Sequence, residues 1–140
     1  MANIGLTIRT LTIANAGVSA LAGSRMYPDA LIQNAVLPAI VYQVIDTVAT
    51  EHLGGIVALA TSRIQIDSFA TTRAGSVALG EAVRLALQTK HRGDNGGQYI
   101  HEISLAAGES YGIDRVSAGS DQRRYIVTTD FLVTYRVATS

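Results

Sequence analysis

The stretch Arg123-Arg-Tyr-Ile-Val-Thr-Thr-Asp-Phe-Leu-Val-Thr-Tyr-Arg-Val137 constrains the fold more than any other part of the chain. Taken by twos, one set is Tyr125, Val127, Thr129, Phe131, Val133, Tyr135 and Val137; the other is Ile126, Thr128, Asp130, Leu132, Thr134 and Arg136. Side chains of a strand point alternately to its two faces, so one face is aromatic and β-branched and the other carries the charges. A helix is a poor alternative, because Thr and Val lose rotamer freedom there and no stripe recurs at a period of 3.6. From Tyr125 to Val137 the strand would extend roughly 43 Å at ~3.3 Å per residue, long for a globular strand. The expectation is a central strand.

Ahead of it, Ile4, Ile8 and Leu11 share a helical face, with Asn3 as N-cap and a stop near Gly17. A short helical turn, Val18 to Ala22, ends at Gly23. The apolar stretch from Ile4 to Ala22 is interrupted by Arg9, Thr10, Thr12, Asn15, Gly17 and Ser19, which makes it a poor signal sequence and too polar to span a membrane. Pro28 biases Tyr27 towards extended geometry, and residues 29–38 form a loop. A second strand, Ala39 to Thr47, has Ile40, Tyr42 and Val44 on one face against Val41 and Ile45 on the other. Apolar residues on both faces suit an interior strand or one covered by a neighbouring subunit. Gly54-Gly55 predicts a turn, and Ile56 to Phe69 its partner strand, with Ile64 and Ile66 inward and Arg63, Gln65 and Asp67 outward.

Thr71 or Thr72 caps the main helix, Arg73 to Thr89, whose Gly75, Leu79, Ala82, Val83 and Ala86 share a side, leaving Glu81, Arg84 and Lys90 to solvent. Residues 91–97, with Asn-Gly and a double Gly, are turn chemistry. Gln98 to Leu105 follows as a strand, read with Tyr99, His101, Ile103 and Leu105 on one face. Ala106 to Asp121 is poor in large apolar residues and reads as a long connection or a protruding hairpin. The order helix, strand, strand, helix, strand, strand makes an α+β fold: an antiparallel sheet with helices packed on it, in a single domain over residues 1–140.

Function classes are narrowed by what the residues do not offer. Eleven basic residues balance eleven acidic ones, which removes the electrostatic footprint of a nucleic-acid binder. Cysteine is absent, so thiolate metal sites and disulfides are excluded. His52, His91 and His101 lack metal-ligand spacing; His52 and His91 read as solvated and His101 as a packed or interface side chain. No nucleophile elbow or phosphate loop is present. The expectation is a chain that is not an enzyme and takes no cofactor or metal. With 48% apolar and only 16% charged residues, its surface is thinly charged for a free monomer and suits an oligomer.

Arg25-Met-Tyr-Pro28, Leu37-Pro-Ala-Ile-Val-Tyr-Gln43, Arg63-Ile-Gln-Ile-Asp67, Leu79-Gly-Glu-Ala-Val-Arg84 and Tyr125 to Tyr135 stand in an order that resembles the tail completion proteins of long-tailed bacteriophages. That group is similar to tail terminators and tail-to-head joining proteins. The resemblance covers nearly the whole chain, and it implies a virion protein at the head–tail junction, present in the host cytoplasm during assembly. It also implies a ring-forming homo-oligomer, hexameric, that caps the tail tube protein and meets the head-completion or connector protein. DNA would only pass through its channel, and no membrane is involved. Two other readings stand beside it: another head–tail connector or tail tube component of related build, and a small α+β ligand-binding domain or enzyme.

The residues expected at subunit contacts are Val41, Gln43 and Ile45 on the second strand, and Glu109, Tyr111, Asp114, Arg115 and Asp121 in the segment after Leu105. That segment has few apolar anchors against an ordering cost of about 1–2 kcal/mol per residue. Two expectations stand side by side: a segment mobile in the single subunit and ordered on assembly, with its acids towards the channel, where they would repel phosphate, and an exposed hairpin with no task.

Overall fold

The computed structural model describes residues 3–50, 57–89, 91–106, 108–115 and 123–138. Its helices are α1 (Ile4–Ile13), α2 (Ala16–Ala22) and α3 (Arg73–Gln88). Its strands are β1 (Met26–Pro28), β2 (Ala39–Thr50), β3 (Val57–Ala70), β4 (Gly93–Asn95), β5 (Gln98–Leu105), β6 (Ser110–Arg115) and β7 (Arg123–Ala138). The strands form one seven-stranded sheet in the order β1-β2-β3-β7-β5-β4, with β6 also paired to β7.

β7 is the centre of this sheet. It pairs antiparallel with β3 from Tyr125↔Ala70 to Ala138↔Val57, and on its other side β5 and β6 lie end to end. Val127, Thr129, Phe131, Val133 and Tyr135 are buried, whereas Leu132 and Arg136 face solvent. β3 alternates in the same way, Ile64 and Ile66 inside and Arg63, Gln65 and Asp67 outside. The period of two in both segments thus becomes a two-faced sheet.

Helices cover the inner face only. Thr72 caps α3, its hydroxyl accepting from the Gly75 N–H at 3.0 Å, and Ser76, Leu79, Gly80, Val83, Ala86 and Leu87 are buried. They share one core with Ile4 and Ile8 of α1, Val18 of α2, and Ile64, Ile100, Phe131 and Tyr135 of the sheet. α3 lies close on the sheet at Gly80, where a Cβ would lie 2.9 Å from Val127 Cγ1. The first helix ends at Ile13, earlier than the expected stop near Gly17. Asn15 then caps α2, accepting from Gly17 and Val18, and the two helix axes differ by 87°. No single helix among the described residues is long and apolar enough to cross a membrane.

Three expectations are corrected. The sheet is mixed rather than purely antiparallel, because β1 runs parallel to β2, Met26 opposite Ile40. The intervening loop carries the chain back to the start of β2, which is how a parallel neighbour is reached. β5 does not keep one face: its register shifts between Ile100 and Glu102. That bulge at His101 lets Ile100, fully buried, and Ile103 both meet the core. Residues 93–95 are a short strand closing on β5 through Gly96 and Gly97, whose φ values of 63° and 92° glycine adopts without steric cost. The expected Gly54-Gly55 turn lies outside the described residues.

Candidate assembly interface

The sheet exposes main-chain edges at both ends. On one side β1 reaches only Tyr42 of β2, through Pro28. From Gln43 onward no strand among the described residues pairs with that side of β2. The register with β3 shifts between Val44 and Asp46, so Ile45 is the extra residue of a bulge. Val44, Ile45 and Val48 are 41%, 49% and 64% exposed. Earlier in the strand the situation differs. Val41 is only 3% exposed, which corrects its expected place at a subunit contact: it is covered within the subunit itself. Gln43 is half-buried, its amide donating to the Asp29 carbonyl at 3.1 Å.

On the opposite side, among the described residues, β6 pairs with β7 alone, from Ser110↔Thr128 to Arg115↔Arg123. Tyr111 and Ile113 are each 58% exposed. Residues 110–115 pair with β7 within the single chain, as the hairpin reading of this segment expects. Main-chain pairing supplies the anchorage that apolar side chains do not. Arg73, the first residue of α3, adds more. Its guanidinium donates to the carbonyls of Ile126 at 3.0 Å and Gly112 at 2.8 Å, and lies over the rings of Tyr111 at 5.1 Å and Tyr125 at 5.2 Å. It fastens β6 to β7 from the helix side.

The acids of this segment are partly engaged. Asp114 is ion-paired with Arg124, so its charge is balanced on the spot. Glu109 accepts from the Tyr111 hydroxyl at 2.9 Å, a bond that, with the carboxylate's charge, pushes the Tyr111 phenol above its ordinary pKa. Asp121 lies outside the described residues, as does the side chain of Arg115.

The outer face between the two edges is a hydrogen-bonded polar surface. Arg63 binds Asp130, and Asp67 accepts from the Thr128 hydroxyl at 2.6 Å. Near its end Arg136 lies 3.9 Å above the Tyr99 ring, and Tyr99 meets His101 edge-on at 5.0 Å. Desolvation, then the charges of Arg136 and Arg92, hold His101 below its usual pKa. His91 is not simply solvated as expected: its Nε2 is 2.5 Å from the Ala86 carbonyl, at the end of α3. His52 and Lys90 lie outside the described residues. Glu81 and Arg84 are paired with each other on the exposed side of α3, which lowers the Glu81 pKa. Among the described residues no three His, Asp or Glu side chains converge on a point.

Residues 7–139 match the family described as Tail completion protein gp17. The chain belongs to this family. Its fold is similar to that of a chain in a structure of the virion of a native gene transfer agent (GTA) particle, with TM-score 0.67 and 18% identity over 96% of this chain and 95% of that one. No match is found among curated proteins. As a tail completion protein it is a structural component of the phage virion rather than an enzyme, in a position consistent with the head–tail junction. What matters in such a protein is how its surfaces meet other chains, and Arg73 governs one of them. Arg73→Ala in this tail completion protein should lower the stability of the subunit by about 1–2 kcal/mol, the loss of two charge-assisted bonds discounted for partial exposure. Amide exchange over residues 110–115 should accelerate more than in β3. Unchanged exchange there would show that β6 is held without the guanidinium.

Proposed function

We propose that this tail completion protein assembles into a closed ring, hexameric, that caps the tail tube and joins it to the head connector. The observation that supports this reading is the display of apolar side chains at opposite ends of one sheet: Val44, Ile45 and Val48 at one, Tyr111 and Ile113 at the other. These two surfaces differ, so a contact between them is heterologous, and heterologous contacts that close produce rings. Membership of the tail completion family supports placing such a ring at the completed end of the tail. DNA passes through its channel. Because Asp114 is balanced by Arg124, any negative lining rests on the remaining acids of the 109–121 segment.

Light scattering on the purified protein should give a mass near six times that of the chain, and electron micrographs should show rings. Labelled protein in virions should sit at one level, where the tail meets the head. A chain that stays monomeric at high concentration and forms no ring in the particle would overturn the reading. Label repeating along the tail would instead identify a tube component.

A further inference from the structure

We propose that the subunits join by strand addition: the free edge of β2, residues 43–50, pairs antiparallel with the outer edge of β6, residues 110–115, in the next copy. This deepens the ring reading above and rests on it. An edge strand presents unpaired N–H and C=O groups, and monomeric proteins shield such edges with charged side chains, lysine above all, with prolines, with bulges or with covering segments. Here neither edge carries Lys or Pro. The shielding strand β1 stops at Pro28, opposite Tyr42, and the Asp29 N–H makes the last bond of that edge, to the Tyr42 carbonyl at 2.9 Å. The free run of β2 is rich in residues that favour strands, Val44, Ile45, Thr47 and Val48. The partner edge offers Tyr111 and Ile113, more than half exposed.

Strand sense agrees. β2 is antiparallel to β3, β3 to β7, and β7 to β6, so β2 and β6 of one subunit run in opposite directions. A ring rotation that continues the sheet from one copy to the next keeps those senses, and β2 of one copy meets β6 of its neighbour antiparallel. The two free runs are of similar length. The bulge at Ile45 bends β2 and increases its twist, which gives a sheet continued around a ring the curvature that closure requires. Main-chain bonds then supply the contact, and the apolar side chains exclude water around it.

The chain contains no cysteine, so introduced thiols report without background. Val48→Cys, Ser110→Cys, which shares the outer face with Val48, and the double variant would be treated with a short bis-maleimide after assembly and separated under denaturing conditions. The double variant should yield a covalent ladder up to the full ring, and neither single variant should yield dimers. Independently, Val48→Lys should weaken ring assembly tenfold or more while the monomer keeps its thermal unfolding, since that side chain is 64% exposed. Amides in 43–50 and 110–115 should become protected on assembly. Rings of normal mass without a ladder in the double variant would overturn strand addition and leave the ring standing. Dimers from Val48→Cys alone would overturn it in favour of like-to-like pairing. Absence of any ring would overturn both proposals.

Discussion

Phe131→Ala is expected to destabilise the folded subunit by about 3–5 kcal/mol, a large share of the stability of a domain this size. Phe131 is fully buried on the inner face of β7 and pairs in register with Ile64 of β3 and Leu105 of β5. It belongs to the core that Leu79, Val83 and Ala86 of α3 cover. Truncation removes the transfer free energy of the ring and leaves a cavity between a helix and a sheet, neither of which can collapse freely into it. Urea denaturation of dilute protein is the appropriate measurement, because assembly would otherwise add its own stabilisation. A loss below about 1 kcal/mol, too small for a core aromatic, would mean that the ring is not enclosed between α3 and the sheet.

The second large effect belongs to Gly80. An alanine there places a Cβ 2.9 Å from Val127 Cγ1, a β-branched neighbour with little freedom to turn aside. Gly80→Ala gains up to about 1 kcal/mol of helix propensity, which offsets most of that crowding, and the net change should be small. Gly80→Leu must push α3 off β7. Overpacking of this kind costs typically about 1–3 kcal/mol, and here the expected loss is about 3 kcal/mol, with a lowered Tm. Equal stability of the alanine and leucine variants would show that α3 shifts over the sheet without resistance.

The parts of the fold legible in the sequence are those in which the pattern runs unbroken. β7 from Val127 to Arg136 and β3 from Arg63 to Asp67 keep a period of two, and there the expected inner and outer sets match the structure. Wherever the period is interrupted, phase is lost. In β5 the alternation from Tyr99 put His101 and Ile103 together, but the bulge at His101 moves Ile100 and Ile103 to the same side. Nothing in the local residue types announces that extra position. β1 was equally hidden, since three residues carry no period and its parallel pairing depends on a distant partner.

The candidate contacts were legible only as exposed apolar residues in the right segments. Ile45 and Tyr111 are displayed, but Val41 is covered, because burial on the second face of β2 depends on what the fold lays over it. The role of Arg73 is not legible in the sequence for a related reason. Its partners Gly112 and Ile126 are 39 and 53 positions away and offer only carbonyls, which every residue has.

β7 is flanked along nearly its whole length, by β3 on one side and by β5 and β6 on the other. Antiparallel hydrogen bonds lie across the strand direction. A pull along the axis of β7 therefore strains them all in shear and at once, whereas a pull that lifts an edge strand opens them one after another. The subunit is mechanically anisotropic as a result: stiff to stretching along its central strand, and easiest to peel at β1 and β4, which pair over three residues each.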